Sequence, residues 1–161
     1  MRLSDHYIRI GFVLCLLMLT AGCTLSGAYI EDGGGSSAAG EAIVKTARAQ
    51  LGQPYKWGGC SPSEGFDCSG YVYWVFRQHG IKVPRTSSGQ AKAGSAVARS
   101  ALRAGDIVVF APKWQKGLHT GIYSGKGKFL HSPKTGSTIR EDAVTDRHWA
   151  NCFVSGRRLV R

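Results

Sequence analysis

Gly65-Phe66-Asp67-Cys68-Ser69-Gly70-Tyr71-Val72-Tyr73-Trp74-Val75-Phe76 is the stretch on which the fold turns. Its second half reads two ways. Aromatic and β-branched residues favour a strand, yet the run lies between Asp67, a good helix N-cap, and His79-Gly80, a good helix stop. Periodicity does not settle a short, wholly apolar run. The choice matters because of Cys68. If Asp67 caps a helix, the thiol lies in its first turn, where unpaired backbone N–H groups and the helix dipole stabilise a thiolate and can hold an oxyanion. Nucleophilic acyl chemistry needs a thiol, a base to take its proton and a group to orient the base. Two histidines lie downstream in strand-like surroundings, Leu118-His119-Thr120-Gly121-Ile122-Tyr123 and Phe129-Leu130-His131-Ser132. On neighbouring strands both can face one side of a sheet. Taken singly, each reads equally as a satisfied core histidine.

Outward from this stretch the chain changes texture once. Glu41 to Leu51 reads as an amphipathic helix with Ile43, Ala47 and Leu51 spaced by four, closed by Gly52. A Gly/Pro/Ser-rich loop runs from Gln53 to Gly65, and Ser87-x-x-Gln90 has the form of a capping box opening a short helix through Ala93. After Gly105 the segments 106–110, 119–123, 128–131 and 152–160 look like strands, punctuated by Gly125, Gly127, Gly136 and Gly156. Helices first and an antiparallel sheet afterwards make an α+β domain. A chain of 161 residues has room for one such core.

Lysine and arginine number 21 against 10 acidic residues, a formal charge of +11. The basic residues are spread from Lys45 to Arg161 without a block of five or six, which argues against a nucleic-acid arm. A diffuse positive surface suits a carboxylate-rich polymer or an acidic membrane face, and equally serves solubility alone. The N-terminus reads as a targeting segment: Arg2 and Arg9 precede the apolar run Gly11 to Leu19, which is too short to span a bilayer. The run ends in Thr20-Ala21-Gly22-Cys23, which resembles the lipobox of bacterial lipoproteins. That resemblance implies a signal peptide over residues 1–22 and acylation of Cys23 as the new N-terminus. Residues 23–40, with Gly33-Gly34-Gly35-Ser36-Ser37, then form a flexible tether, and the globular domain covers 41–161. Thr24 after the cysteine implies the outer membrane, facing the periplasm. Ordinary secretion is the competing reading.

On that processing Cys15 departs with the leader and Cys23 carries lipid, so Cys60, Cys68 and Cys152 remain. Three thiols in an oxidising compartment leave one unpaired. A nucleophilic Cys68 must be the free one, which makes Cys60 with Cys152 the candidate disulfide; two small buried thiols are the alternative.

Pro54-Tyr55-Lys56-Trp57-Gly58-Gly59, Gly65 to Gly70, Pro84-Arg85-Thr86, Ala104 to Phe110, His119 to Tyr123 and Phe129 to Ser132 occur in that order. In combination they resemble the NlpC-type cell-wall peptidases, papain-like enzymes that cut the peptide stems of bacterial peptidoglycan. The resemblance covers Glu41 to Arg161. It implies that the aromatic run is a helix with Cys68 as nucleophile at its start, His119 as general base and His131 as the residue orienting His119. It places Tyr55, Asp67 and Ser69 at the substrate cleft, Asp67 doubling as cap, and Arg85 in a structural or substrate-binding role. Thr120 stands where valine is frequent, and Cys60 where a small polar residue is usual. His79 and His148 lie outside any motif and read as ordinary polar residues. The implied activity is hydrolysis of an amide bond in stem peptides, between D-glutamate and a diamino acid or at a crosslink, by a monomer without cofactor or metal. Acyl transfer is mechanistically close. A catalytically idle wall-binding lipoprotein of the same fold is the alternative, against which Cys68, His119 and His131 stand together. A Cys/His zinc site lacks the close ligand pairs that structural zinc uses.

Overall fold

Ser37 accepts a hydrogen bond from the Gly40 N–H at 3.1 Å and so starts the first helix. The computed structural model describes residues 37–160; the leader, Cys23 and most of the expected tether lie outside the described residues. Helix α1 spans Ala38–Arg48 and buries Gly40, Ile43, Val44 and Ala47, a stripe at helical spacing. It therefore begins inside the stretch expected to be linker, because Ser37 offers a cap, and it stops three residues early. Leu51 lies beyond it and is 49% exposed. Gly52 is not the cap but sits in the following turn at φ +84°, donating its N–H to the Ile139 carbonyl.

The ambiguous aromatic run is helical. Helix α2 spans Cys68–Gln78, capped by Asp67, whose Oδ1 accepts the Gly70 N–H at 2.6 Å. Tyr71, Val72, Val75 and Phe76 are buried along one face. A good cap and burial on one helical face outweigh the strand preference of these residue types. The Tyr71 hydroxyl donates to the Ala47 carbonyl at 2.9 Å, tying α2 to α1. Helix α3 is shorter than expected, Ser87–Gln90, and its cap is Thr86 rather than Ser87. Gln90 has gone to the interior and does not close a capping box.

Strands β4 (Ile107–Phe110), β5 (His119–Gly125), β6 (Lys128–His131) and β8 (Phe153–Arg158) fall where the sequence suggests. Strands β3 (Ser95–Val97) and β7 (Arg140–Ala143) complete a six-stranded sheet in the order β3-β8-β4-β5-β6-β7, antiparallel throughout. A small hairpin, β1 (Cys60–Ser61) with β2 (Gly65–Phe66), packs on α2, and a one-turn helix α4 (Arg147–Ala150) precedes β8. The alternation of strand side chains splits the core. Ile107, Val109, Ile122 and Leu130 pack with α1 and α2. Val108, Phe110 and Phe129 face the other way, onto Val144 and Trp149. Helices packed on an antiparallel sheet give the α+β, papain-like arrangement.

This layering corrects the disulfide expectation, because Cys60 and Cys152 are both free thiols. Cys60 pairs in β1 with Phe66, a member of the helix-side core. Cys152 packs into the cluster on the opposite face, its thiol donating to the His148 carbonyl at 3.2 Å.

Candidate active site

Cys68 is the first residue of α2 and lies against the start of β5, where the Thr120 backbone N–H points at its sulfur. In the first turn, Gly70 N–H is taken by the Asp67 carboxylate and Tyr71 N–H by the Asp67 carbonyl. Those of Cys68 and Ser69 are directed at the thiol. Gly70 must lack a side chain: a Cβ would sit on the Gly59 carbonyl oxygen. Burial pushes the Cys68 thiol above its ordinary range and the Asp67 charge adds to this, while the three N–H groups oppose it. Burial wins over the helix terminus, so the resting sulfur is a thiol, contrary to the preformed thiolate that the cap alone suggests.

His119 opens β5 and is fully buried, flat against Trp149 with ring centroids 5.2 Å apart and edge-on to Trp114. Its Nε2 is 2.8 Å from His131 Nδ1. Its Nδ1 is, among the described residues, the buried side-chain polar atom left without a partner. Gly121 permits this meeting of strands, since a Cβ there would come within 2.7 Å of the Leu130 carbonyl and 3.1 Å of His131 Cβ. Burial, with the neighbouring His131, holds His119 well below the ordinary histidine range; burial also lowers His131, against the pull of Asp142. Both imidazoles are neutral at neutral pH.

Tyr55, Trp57, Asp67, Cys68, Ser69, Arg85 and Leu118 line an open cleft of about 510 Å³, a volume typical of small-ligand sites. Tyr55 reaches its rim because its backbone N–H bonds the Ser137 carbonyl at 2.9 Å. Burial, then the Cys68 and Asp67 charges, raise its phenol above the ordinary value. Arg85 grips Asp67 in a two-pronged ion pair, Nη1 to Oδ1 and Nη2 to Oδ2 both at 2.9 Å, and also donates to Ser69 Oγ at 3.1 Å and the Gly58 carbonyl at 2.8 Å. Arg85 thus stiffens the loop before the thiol, and Cys60 lies at the same guanidinium.

Thr120, in place of valine, is satisfied by burial against Gln90: its hydroxyl donates to Gln90 Oε1 at 2.8 Å. Gln90 in turn donates to the Ser69 and Pro84 carbonyls, each at 2.9 Å. Of the histidines outside motifs, His79 bonds Thr46 Oγ1 at 2.9 Å and holds α2 to α1, while His148 accepts the Trp114 indole N–H at 2.8 Å. Among the described residues no three His, Cys, Asp or Glu side chains converge as a metal site.

Every residue expected at the site except Cys152 and the undescribed Cys23 comes to this region. Three residues there carry no sequence signal. Asp142 Oδ2 lies 3.0 Å from His131 Nε2, and the same oxygen accepts from Arg140 Nη2 and from Trp149 Nε1 at 3.1 Å each. They come from β7 and α4, four-residue elements too short and polar to show a strand or helix period.

Helices packed on an antiparallel sheet, with Cys68 opening α2 and the buried His119 opening β5, place the domain in the papain-like fold class. Within that class the chain belongs to the NlpC/P60 family, whose pattern matches residues 52–158. It is 46% identical over 120 residues to the gamma-D-glutamyl-L-lysine dipeptidyl-peptidase of Bacillus subtilis, covering 73% of this chain and 40% of that one. It is 38% identical over 115 residues to the murein DD-endopeptidase MepH of Escherichia coli, covering 69% and 42%. The chain thus spans under half the length of these two relatives. Among solved structures, the NlpC/p60 domain of the peptidoglycan hydrolase SagA superposes with a TM-score of 0.65 at 31% identity, covering 74% of this chain and 98% of that one. An NlpC/P60 family protein of Bacillus cereus gives a TM-score of 0.69 at 34% identity, over 76% and 40%.

Proposed function

We propose that this protein hydrolyses amide bonds in peptidoglycan stem peptides, with Cys68 as nucleophile, His119 as general base and His131 orienting it. The observation that carries this reading is the buried, unpartnered Nδ1 of His119 at the strand whose next N–H contacts the Cys68 sulfur. In the reaction the thiol proton passes to His119 Nδ1 as sulfur attacks the carbonyl carbon. The oxyanion forms beside the Cys68 and Ser69 N–H groups, with the Tyr55 hydroxyl at the cleft rim. The intermediate collapses with His119 giving its proton to the leaving amine, and water then hydrolyses the thioester by the same base. Because the sulfur starts as a thiol and His119 as a neutral base, proton transfer accompanies attack.

The names of the relatives point to wall peptides, and the +11 charge of the chain suits carboxylate-rich stems. The bond between D-glutamate and a diamino acid is the favoured target, with a crosslink ending at such a residue as the other. The site belongs at the cell envelope. By its lipobox the chain is processed after residue 22, acylated on Cys23 and tethered through residues 23–40 to the outer membrane facing the periplasm, with 41–161 as the catalytic domain. The protein acts as a monomer.

Incubation of the purified chain with defined stem peptides, read by mass spectrometry beside Cys68→Ala, tests the activity. Cleavage by the wild type and none by the variant is expected; equal cleavage by both, or none by either, removes the peptidase reading. Labelling of growing cells with a palmitate analogue tests the anchor, and label persisting in Cys23→Ala would remove it.

A further inference from the structure

Behind His131 stands a carboxylate that neither motif nor spacing announces. Asp142 lies in β7, diagonally across from His131 in the β6–β7 ladder, where Phe129 pairs with Asp142 and His131 with Arg140. Its side chain is 18% exposed. One oxygen, Oδ2, lies 3.0 Å from His131 Nε2, 3.1 Å from Trp149 Nε1 and 3.1 Å from Arg140 Nη2, while Oδ1 takes Arg140 Nε at 3.1 Å. Indole and guanidinium nitrogens only donate, so this oxygen is an acceptor on every side. His131 Nε2 must therefore carry the hydrogen. The rest follows from having one N–H on each neutral ring. His131 Nδ1 is then a lone pair, and at 2.8 Å the His119 Nε2 must be the N–H that it accepts. That leaves His119 Nδ1 bare, and among the described residues it is the buried side-chain polar atom without a partner.

We infer that Asp142 is a positioning residue that fixes the tautomers of His131 and His119, turning a three-residue site into the line Cys68–His119–His131–Asp142. Resting on the reading of Cys68 and His119 as the reacting pair, this assigns Asp142 a role transmitted through two rings. With the opposite pair of tautomers His119 Nδ1 carries hydrogen and cannot take the thiol proton. When the proton moves from Cys68 Sγ to His119 Nδ1, no second proton moves. The imidazolium keeps its Nε2–H on His131 Nδ1, and Asp142 remains a carboxylate that faces the new charge through His131. Arg140 and Trp149 hold that carboxylate in place, and together with the His131 hydrogen bond they keep its carboxyl well below the usual range. The charged and titratable groups that act on His119 are His131 from β6, Asp142 and Arg140 from β7, and His148 from α4. Among them Asp142 is the one that favours a positive ring.

The test is long-range nitrogen–proton NMR of the histidine rings at neutral pH in the wild type, Asp142→Asn and Asp142→Glu, with kcat and KM on a stem peptide for each. The wild type is expected to show hydrogen on Nε2 of both His119 and His131. Asp142→Asn is expected to populate the Nδ1–H form of His119, to lower kcat by on the order of 10²-fold or more with KM little changed, and to move the acid limb of kcat/KM to lower pH. Asp142→Glu is expected to restore the wild-type tautomers and part of kcat. Hydrogen on Nδ1 of either ring in the wild type would overturn the inference without any substitution, as would a folded Asp142→Asn with wild-type tautomers and kcat. Cys68→Ala run alongside separates the two readings: peptide cleavage that survives Cys68→Ala refutes the catalytic assignment, whereas the ring spectra judge Asp142 by themselves.

Discussion

Gln90→Met removes a buried amide that joins three parts of the site. Gln90 is fully buried and makes three side-chain bonds, to the Ser69 carbonyl, the Pro84 carbonyl and the Thr120 hydroxyl. Methionine fills a similar volume and makes none of them. Three hydrogen bonds at about 1 kcal/mol net each come to roughly 3 kcal/mol, and stranding the buried Thr120 hydroxyl adds roughly 1–2 kcal/mol. The expected destabilisation is about 3–5 kcal/mol, a fall in Tm of roughly 10–20 °C for a domain of this size. Denaturant unfolding followed by circular dichroism measures it. Thr120→Val in the same background isolates one bond: alone it strands Gln90 Oε1 at a cost of about 1–2 kcal/mol, but after Gln90→Met it relieves the orphaned hydroxyl. The double variant should then be more stable than the sum of the two single effects by about 1 kcal/mol or more. Additivity within about 0.5 kcal/mol, or a Gln90→Met cost under about 1 kcal/mol, would refute the claim that this network carries the site.

Two further outcomes follow from the ionisation of the buried groups. Alkylation of Cys68 by iodoacetamide should rise with pH and reach its half-maximum above 9.0, the ordinary value for a cysteine thiol, because burial and Asp67 raise the thiol. Asp67→Asn keeps a good cap but removes the charge, and should shift that midpoint downwards; a rate already flat near pH 6 in the wild type would show a preformed thiolate instead. Unfolding free energy should fall as pH drops below 6.5, since the unfolded chain takes up protons that the buried, pKa-lowered His119 and His131 refuse. The slope lies between one and two protons, about 1.4–2.7 kcal/mol per pH unit. Below 3.8 the Asp142 carboxylate, whose folded pKa is depressed, adds to the loss in the same direction. Denaturation midpoints unchanged between pH 7 and 5 would contradict this.

Much of the domain was legible because short-range chemistry decides it. Asp67 marks a helix start, β4 is a four-residue apolar run shortly after Gly105, and β5 and β6 flank the turn glycines Gly125 and Gly127, so each reads as a strand from its own residues. Strands β3 and β7 were missed since they lie at the two sheet edges, and Arg140 to Ala143 is polar in three of its four residues. Such a segment becomes a strand by pairing with a neighbour and not by its own periodicity. Helix α1 starts earlier than its apolar spacing suggests for a local reason, a serine cap lying just inside a stretch whose glycines read as linker.

The sequence by itself placed a thiol at a capped helix start and two histidines in strand-like segments, and the order of its motifs, through the family they resemble, singled out Cys68, His119 and His131 as the candidate reacting group. What the sequence left open was how those groups are charged and held. Burial and not the helix terminus decides that the Cys68 thiol is raised above its ordinary range, and the packing leaves Cys60, in the β1–β2 hairpin, and Cys152, before β8, as free thiols. Gln90 behind the thiol and Asp142 behind His131 are separated from the residues they serve by 21 and 11 positions. Hydrogen bonds across such gaps exist only once the strands and helices have packed, which is why no pattern along the chain could reveal them.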